Sequence, residues 1–222
     1  MHPAVAPARS FWTVDDVDVD ELADLIDHPV SPASYPNAAL VDDGVVVYDM
    51  PDPNGGADRA ALLTEIATAL DSGPGIVVLR RAVERTVLSR ATDAFEAIIE
   101  VERRSDSGAG DHFAAPGAND RVWNALEKLA VADPGVFVDY YATEAIELAA
   151  TAWLGPHYQV TSQINVVNPS GGAQSPHRDY HLGFMTDDQA ARFPARAHLM
   201  SAGLTLQGAV AHVDMPVASG PT

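Results

Sequence analysis

The segment YQVTSQINVVNP (Tyr158–Pro169), followed after a Gly-rich turn by QSPHRDYHLGF (Gln174–Phe184), decides the fold prediction for this chain. Apolar residues sit among polar ones through its first part in a strand-like pattern, and Gly171-Gly172 follows in the turn. Residues 174–184 and 198–213 alternate in the same manner. The C-terminal third is therefore predicted to be mainly β.

Upstream of this segment the spacing of apolar residues is helical. Leu62, Ile66 and Leu70 recur at four-residue intervals, for example, and Gly73 follows as a stop signal. Helices first and strands last favour an α+β domain with an antiparallel sheet over an alternating parallel one. The patterns predict strands at 45–48 and 75–79 and helices at 17–26, 57–70, 83–104, 120–130, 134–154 and 186–192.

The composition indicates one acidic globular domain. The 222 residues are 47% hydrophobic, and the formal net charge of -18 disfavours nucleic acid and membrane surfaces as partners. The chain has no cysteine, so any metal would be held by His, Asp, Glu or water. With no leader pattern and no run of ~18 apolar residues, we expect a cytoplasmic protein.

His177 and Asp179 are the residues best suited to hold a metal ion. Side chains two apart on a strand project to the same face with Cα atoms ~6.6 Å apart, so the imidazole and the carboxylate can converge. Two His and one carboxylate leave three positions of an octahedral Fe(II) open for a chelating co-substrate and O₂. His181 is too far along an extended strand, ~13 Å from His177, to share the ion. Alone, a His-x-Asp pair is a weak signal.

The residues around this pair resemble a known family. Tyr158–Pro169 and Gln174–Phe184, together with LTLQGA (Leu204–Ala209), HVDMP (His212–Pro216) and SGPT (Ser219–Thr222), resemble the phytanoyl-CoA dioxygenase family, particularly its bacterial members. The resemblance covers roughly residues 73–222 and is sharpest from residue 155 onward.

The resemblance implies a double-stranded β-helix, a jelly-roll and cupin-like barrel with flanking helices. It implies Fe(II), 2-oxoglutarate and O₂, with oxidation coupled to decarboxylation of 2-oxoglutarate to succinate. It also implies a distal His and a 2-oxoglutarate-binding Arg beyond the Gly-Pro-Thr turn where this sequence stops. His198 and His212 follow the cluster, but His212 aligns with a strand position that does not carry the ligand in relatives.

These implications set the expected domain organisation. We expect residues 1–40, which are rich in Pro, Ala and Asp, to form an extended lead-in. Residues 41–222 are then the N-terminal and central part of a single oxygenase domain whose C-terminal strands are missing. Unpaired sheet edges in such a domain favour self-association.

Several further polar residues are candidates for the co-substrate or substrate. Asn165 and Gln163 lie two apart, so their amides share a strand face and could bond a carboxylate or keto group of 2-oxoglutarate, or else neighbouring backbone. Gln174 faces the co-substrate or caps a turn. Other candidates for the pocket or substrate have more ordinary alternatives, namely barrel-core packing for Thr205 and Gln207, and a helix cap or surface ion pair for His112 and Arg121.

The function predicted from these residues is a non-haem Fe(II) and 2-oxoglutarate-dependent dioxygenase that hydroxylates a small organic molecule. Related halogenases replace the carboxylate with a small residue, so Asp179 favours hydroxylation. Two alternatives stay open. One is a truncated, non-catalytic remnant or binding module of the same fold, and the other is a cupin-like metal-dependent hydrolase or lyase.

Overall fold

The structure, a computed structural model, describes residues 10–50, 58–105, 119–169, 171, 179, 182–183, 185–216 and 218. These ranges contain helices and short strands. The helices are α1 (Val19–Ile26), α2 (Arg59–Asp71), α3 (Arg85–Arg104), α4 (Ala125–Ala132), α5 (Pro134–Tyr141), α6 (Glu144–Leu154), α7 (Asp187–Ala190) and α8 (Ala195–Gly203). The strands are β1 (Leu40–Asp42), β2 (Val45–Asp49), β3 (Val77–Arg80), β4 (Asn119–Val122) and β5 (Ile164–Val167).

The first sheet begins with a tight hairpin. β1 and β2 pair antiparallel with Asp42 opposite Val45, so Asp43 and Gly44 alone form the loop. Both loop residues have positive φ, 47° and 82°, which is the backbone that a type I′ turn requires and that Asp-Gly favours. β3 then pairs with β2 in parallel, and α2 makes the crossover between the two strands.

Helices α2 and α6 pack together and, with this sheet, enclose the first hydrophobic core. Glu65 is a buried charge within it, and its carboxylate accepts hydrogen bonds from the backbone and side-chain N–H groups of Asn37 and from the hydroxyl of Tyr48. These bonds offset the cost of burying the carboxylate and tie the segment before β1 to α2. Burial, together with the nearby carboxylate, raises the pKa of Tyr48 well above its usual range.

A second core lies among α3, α4, α5 and the β4–β5 sheet. The rings of Phe95 and Tyr140 meet edge to face there, with centroids 6.0 Å apart. Val122 of β4 is fully buried in this core, and Ile164 of β5 packs against it. One face of the β4–β5 sheet therefore rests on the helices.

The structure corrects two of the predicted helices. The helix predicted at 134–154 is two helices, because Thr143 takes an extended backbone conformation and serves as the N-cap of α6. The prediction of helix at 120–130 is wrong over its first residues, which form β4, and α4 begins only at Ala125.

The predicted β-structure at 198–213 is wrong in its first part. Helix α8 occupies Ala195–Gly203, because Pro194 precedes a run rich in Ala, Leu, Met and Arg that favours helix. Residues 204–216 form no regular strand. The sequence predicts mixed helix and sheet, and both are found, but the first sheet contains a parallel pair and precedes most of the helices.

The strands form one three-stranded and one two-stranded sheet, and no closed barrel is seen within the described ranges. The jelly-roll therefore stays a prediction. In the same part of the chain, no helix has the length and apolar character needed to cross a bilayer.

Candidate metal and co-substrate site

The two faces of the β4–β5 sheet carry different chemistry. Val122 lies opposite Ile164 in the antiparallel register, and Arg121 lies opposite Asn165. Residues directly opposite one another share a face, and neighbours along a strand alternate. Since Val122 and Ile164 pack into the second core, Arg121 and Asn165 lie on the face turned away from those helices.

Arg121 places a positive charge on this outer face. The residue is only 8% exposed, and its Nη1 donates a hydrogen bond of 3.2 Å to Oε1 of Gln163. Its guanidinium carbon lies 4.9 Å from the centroid of the Trp123 ring. Hydrogen bonds and ring contacts of this kind reduce the cost of burying a cation. The structure thus brings Gln163 into contact with a buried guanidinium and places Asn165 directly across from it.

Asp120 holds the sheet against α3. Its carboxylate accepts hydrogen bonds from Nε of Arg103, at 3.0 Å, and from Nδ2 of Asn168, at 2.9 Å. The bond from Arg103 holds the pKa of Asp120 below its usual range. These contacts fix β4 and the end of β5, and with them the position of the Arg121 face.

Asp179 is exposed and lies outside the strands. Its Oδ2 accepts a hydrogen bond of 2.6 Å from Nε2 of Gln207, 28 residues later in the chain. His177, Gln174, His181 and His112 lie outside the described residues. The convergence of His177 and Asp179 on one strand face therefore stays a prediction.

The two later histidines are occupied by other contacts. His212 packs against α3 and α5, with its ring nitrogens 2.8 Å from Oγ1 of Thr92 and 2.8 Å from Oη of Tyr140. His198 lies 2.9 Å from the carbonyl oxygen of Ala190 through Nε2. Both contacts support structural roles for these histidines.

The donor chemistry of the predicted site residues fits the expected cofactor and co-substrate. A carboxylate oxygen such as those of Asp179 is an accepted ligand for Fe(II). A guanidinium beside two amides suits a carboxylate, because its planar N–H fork can donate two parallel hydrogen bonds. Over the ranges that the structure describes, no three His, Asp or Glu side chains gather into a metal site. Asp179 is thus the one predicted metal ligand that the structure places.

The structure gives Arg121 and Gln207 more important positions than their local sequence patterns predict. The expectation of a helix cap or a surface ion pair is wrong for Arg121, which is buried on β4, whereas its neighbour Asp120 does pair with Arg103. A short run of alternating residues before Trp123 is typical of a strand. The prediction of a helix from residue 120 conflicts with this pattern. Gln207 contacts the predicted metal ligand, a link that no local pattern indicates.

Comparison with known proteins identifies the family. A search of curated proteins and a search of solved structures each found no match. The family model for phytanoyl-CoA dioxygenase matches residues 73–222, more than half of the chain and the whole range that holds Arg121, Asn165 and Asp179. Proteins of this family are generally oxygenases and typically use Fe(II) and 2-oxoglutarate. The chain therefore belongs to the phytanoyl-CoA dioxygenase family.

Proposed function

We propose that this protein is an Fe(II)- and 2-oxoglutarate-dependent dioxygenase that hydroxylates a small organic molecule within a jelly-roll, cupin-like domain. The observation that most supports the proposal is the contact between the buried guanidinium of Arg121 and Gln163, with Asn165 opposite in register. Two amides predicted to bind the co-substrate thus lie beside the positive charge that a dicarboxylate needs.

In this proposal His177 and Asp179 hold the iron. Fe(II), 2-oxoglutarate and O₂ together supply an oxidation coupled to loss of CO₂, which leaves succinate. Arg121 binds a carboxylate group of 2-oxoglutarate through its N–H fork, and Gln163 and Asn165 orient the co-substrate through their amides. We propose Gln174, three residues before His177 in the sequence, as a further amide for binding the co-substrate.

The negative net charge of this chain makes a cation near the co-substrate important for binding it. The formal net charge of -18 repels a dianion such as 2-oxoglutarate at long range. Arg121 provides positive charge at a position that is largely removed from water, where a charge interaction is stronger than at the surface. Loss of Arg121 should therefore weaken binding of the co-substrate far more than loss of a surface arginine.

Succinate formation tests the proposal. The protein is incubated with Fe(II), 2-oxoglutarate and O₂, and Asp179→Ala is compared with Asp93→Ala, which changes an exposed residue of α3. We expect O₂-dependent succinate from the wild type and from Asp93→Ala, and none from Asp179→Ala. Binding of 2-oxoglutarate without succinate would favour the binding module, and metal-dependent turnover without O₂ would favour a hydrolase or lyase.

We also propose that the protein self-associates. Helix α1 exposes more than half of each of its large apolar side chains, and their spacing places them on one face of the helix. These side chains are Val19, Leu22, Leu25 and Ile26. Sedimentation velocity over a range of concentrations tests the idea, with Leu22→Glu expected to shift the protein toward the monomer. A wild type that stays monomeric throughout would rule it out.

A further inference from the structure

Gln207 contacts Asp179, and the proposed function gives this contact no role. Nε2 of Gln207 donates to Oδ2 of Asp179 at 2.6 Å, a short bond of the kind formed with a charged acceptor. Both residues are exposed, so this bond adds little to the stability of the fold. Its significance lies in the orientation that it gives to the Asp179 carboxylate.

The backbone on both sides of Gln207 is fastened to the helices. Two residues before it, the carbonyl oxygen of Thr205 accepts a hydrogen bond of 3.1 Å from Nε1 of Trp153 in α6. Five residues after it, His212 is bonded to Thr92 of α3 and Tyr140 of α5. Residues 205–212 form no helix or strand, so these side-chain contacts hold the segment in place. The Gln207 amide is therefore presented to Asp179 from a fixed support.

A held carboxylate has a defined orientation toward a metal. When an amide engages Oδ2, the rotation of the carboxylate is restricted, so a metal ion would meet the carboxylate in one orientation. Ligation through one oxygen leaves more of the coordination sphere for a chelating co-substrate and O₂ than ligation through two. Partners that orient a ligating carboxylate typically change metal affinity about 10- to 100-fold when they are removed.

We propose that Gln207 is a positioning residue that holds Asp179 for one-oxygen ligation of the metal, supported by the anchors at Trp153 and His212. The proposal rests on the proposed function, in which Asp179 is a metal ligand. Gln207 does not touch the metal or the co-substrate in this account and acts only through Asp179.

Binding of Mn(II) to the metal-free protein tests the proposal without turnover. Mn(II) prefers the same oxygen and nitrogen ligands as Fe(II), and its dissociation constant can be measured by calorimetry. The key variant is Gln207→Met, which keeps a side chain of similar length but removes the N–H donor. The matched control is Gln159→Met, because Gln159 is also exposed. Asp179→Ala reports on the proposed function itself, and thermal melting reports on the fold.

We expect Gln207→Met to weaken Mn(II) binding about 10- to 100-fold at an unchanged melting temperature, while Gln159→Met binds as the wild type does. Trp153→Phe, which removes the donor to Thr205 together with part of the ring, should weaken binding in the same direction. If Asp179→Ala abolishes binding but Gln207→Met binds normally, or lowers only the melting temperature, the positioning role is overturned and the proposed function stands. If Asp179→Ala binds as the wild type does, the proposed function fails, and the positioning role with it.

Discussion

Oη of Tyr140 lies 2.8 Å from Nε2 of His212, and the contacts around this pair determine the tautomer of the imidazole. The hydroxyl of Thr92, 2.8 Å from the other ring nitrogen, donates its single hydrogen to the carbonyl oxygen of Leu88. Nδ1 of His212 must therefore donate to Thr92, and Nε2 accepts from Tyr140. In its neutral form, His212 therefore carries its proton on Nδ1.

This arrangement predicts a pH dependence of stability. Burial lowers the pKa of His212 below its ordinary value, so the unfolded state binds more protons than the folded state as the pH falls through about 6.5. The stabilising contribution is present above that pH and is lost progressively below it. We expect the free energy of unfolding, measured with urea between about pH 7.5 and 5.5, to fall with pH, and His212→Asn to flatten this decline. Equal slopes for wild type and variant would contradict the prediction.

The proposed role of the buried Arg121 guanidinium leads to a prediction about the affinity for 2-oxoglutarate. Arg121→Met should weaken binding about 10- to 100-fold, since a hydrogen-bonded charge pair contributes about 1.5–3 kcal/mol. Arg121→Lys should recover only part of the loss, because an ammonium lacks the planar N–H fork. Calorimetry under anaerobic conditions with Mn(II) present gives the dissociation constants. Arg85→Met, at an exposed site on α3, serves as control, and equal affinities for the Arg121 and Arg85 variants would refute the assignment.

The close packing around Gly73 predicts that a larger residue at this position destabilises the first core. A Cβ at this position would overlap the hydroxyl of Tyr35 and lie 2.9 Å from the Cα and carbonyl oxygen of Ala69, which are backbone atoms that cannot move away cheaply. Gly73→Ala should therefore lower the free energy of unfolding by about 1–3 kcal/mol. Gly203→Ala is the matched control, because a Cβ there meets nothing within 4 Å. Denaturant unfolding of both variants gives their free energies of unfolding. A Gly73→Ala protein as stable as the control would show the prediction to be wrong.

Local patterns predicted the elements near the start of the domain. The β2 strand, helix α2 and helix α3 were recoverable because turn residues and apolar spacing act within about 20 residues of chain. The predicted strand at 45–48, for example, corresponds to β2 at Val45–Asp49. Interactions between residues close in sequence are sufficient to predict these three elements.

The site depends on contacts between distant parts of the chain. Arg121 is buried because β4 pairs with β5 more than 40 residues later, and Gln207 reaches Asp179 across 28 residues. Neither pairing produces a periodic pattern near the residues themselves. The local patterns therefore predict a helix from residue 120 and a strand from residue 198, where the structure has β4 and α8. The pairing of His177 with Asp179, the division at residue 40 and the cytoplasmic location stay predictions.

The most direct test of the central claim is an anaerobic titration of the protein with Fe(II) and 2-oxoglutarate, followed by visible absorption. If His177 and Asp179 hold iron that chelates 2-oxoglutarate, a weak charge-transfer band should appear in the wild type and be absent from His177→Ala and Asp179→Ala. A wild type that shows no band at saturating Fe(II) and 2-oxoglutarate, or an Asp179→Ala protein with a band of equal strength, would contradict the account.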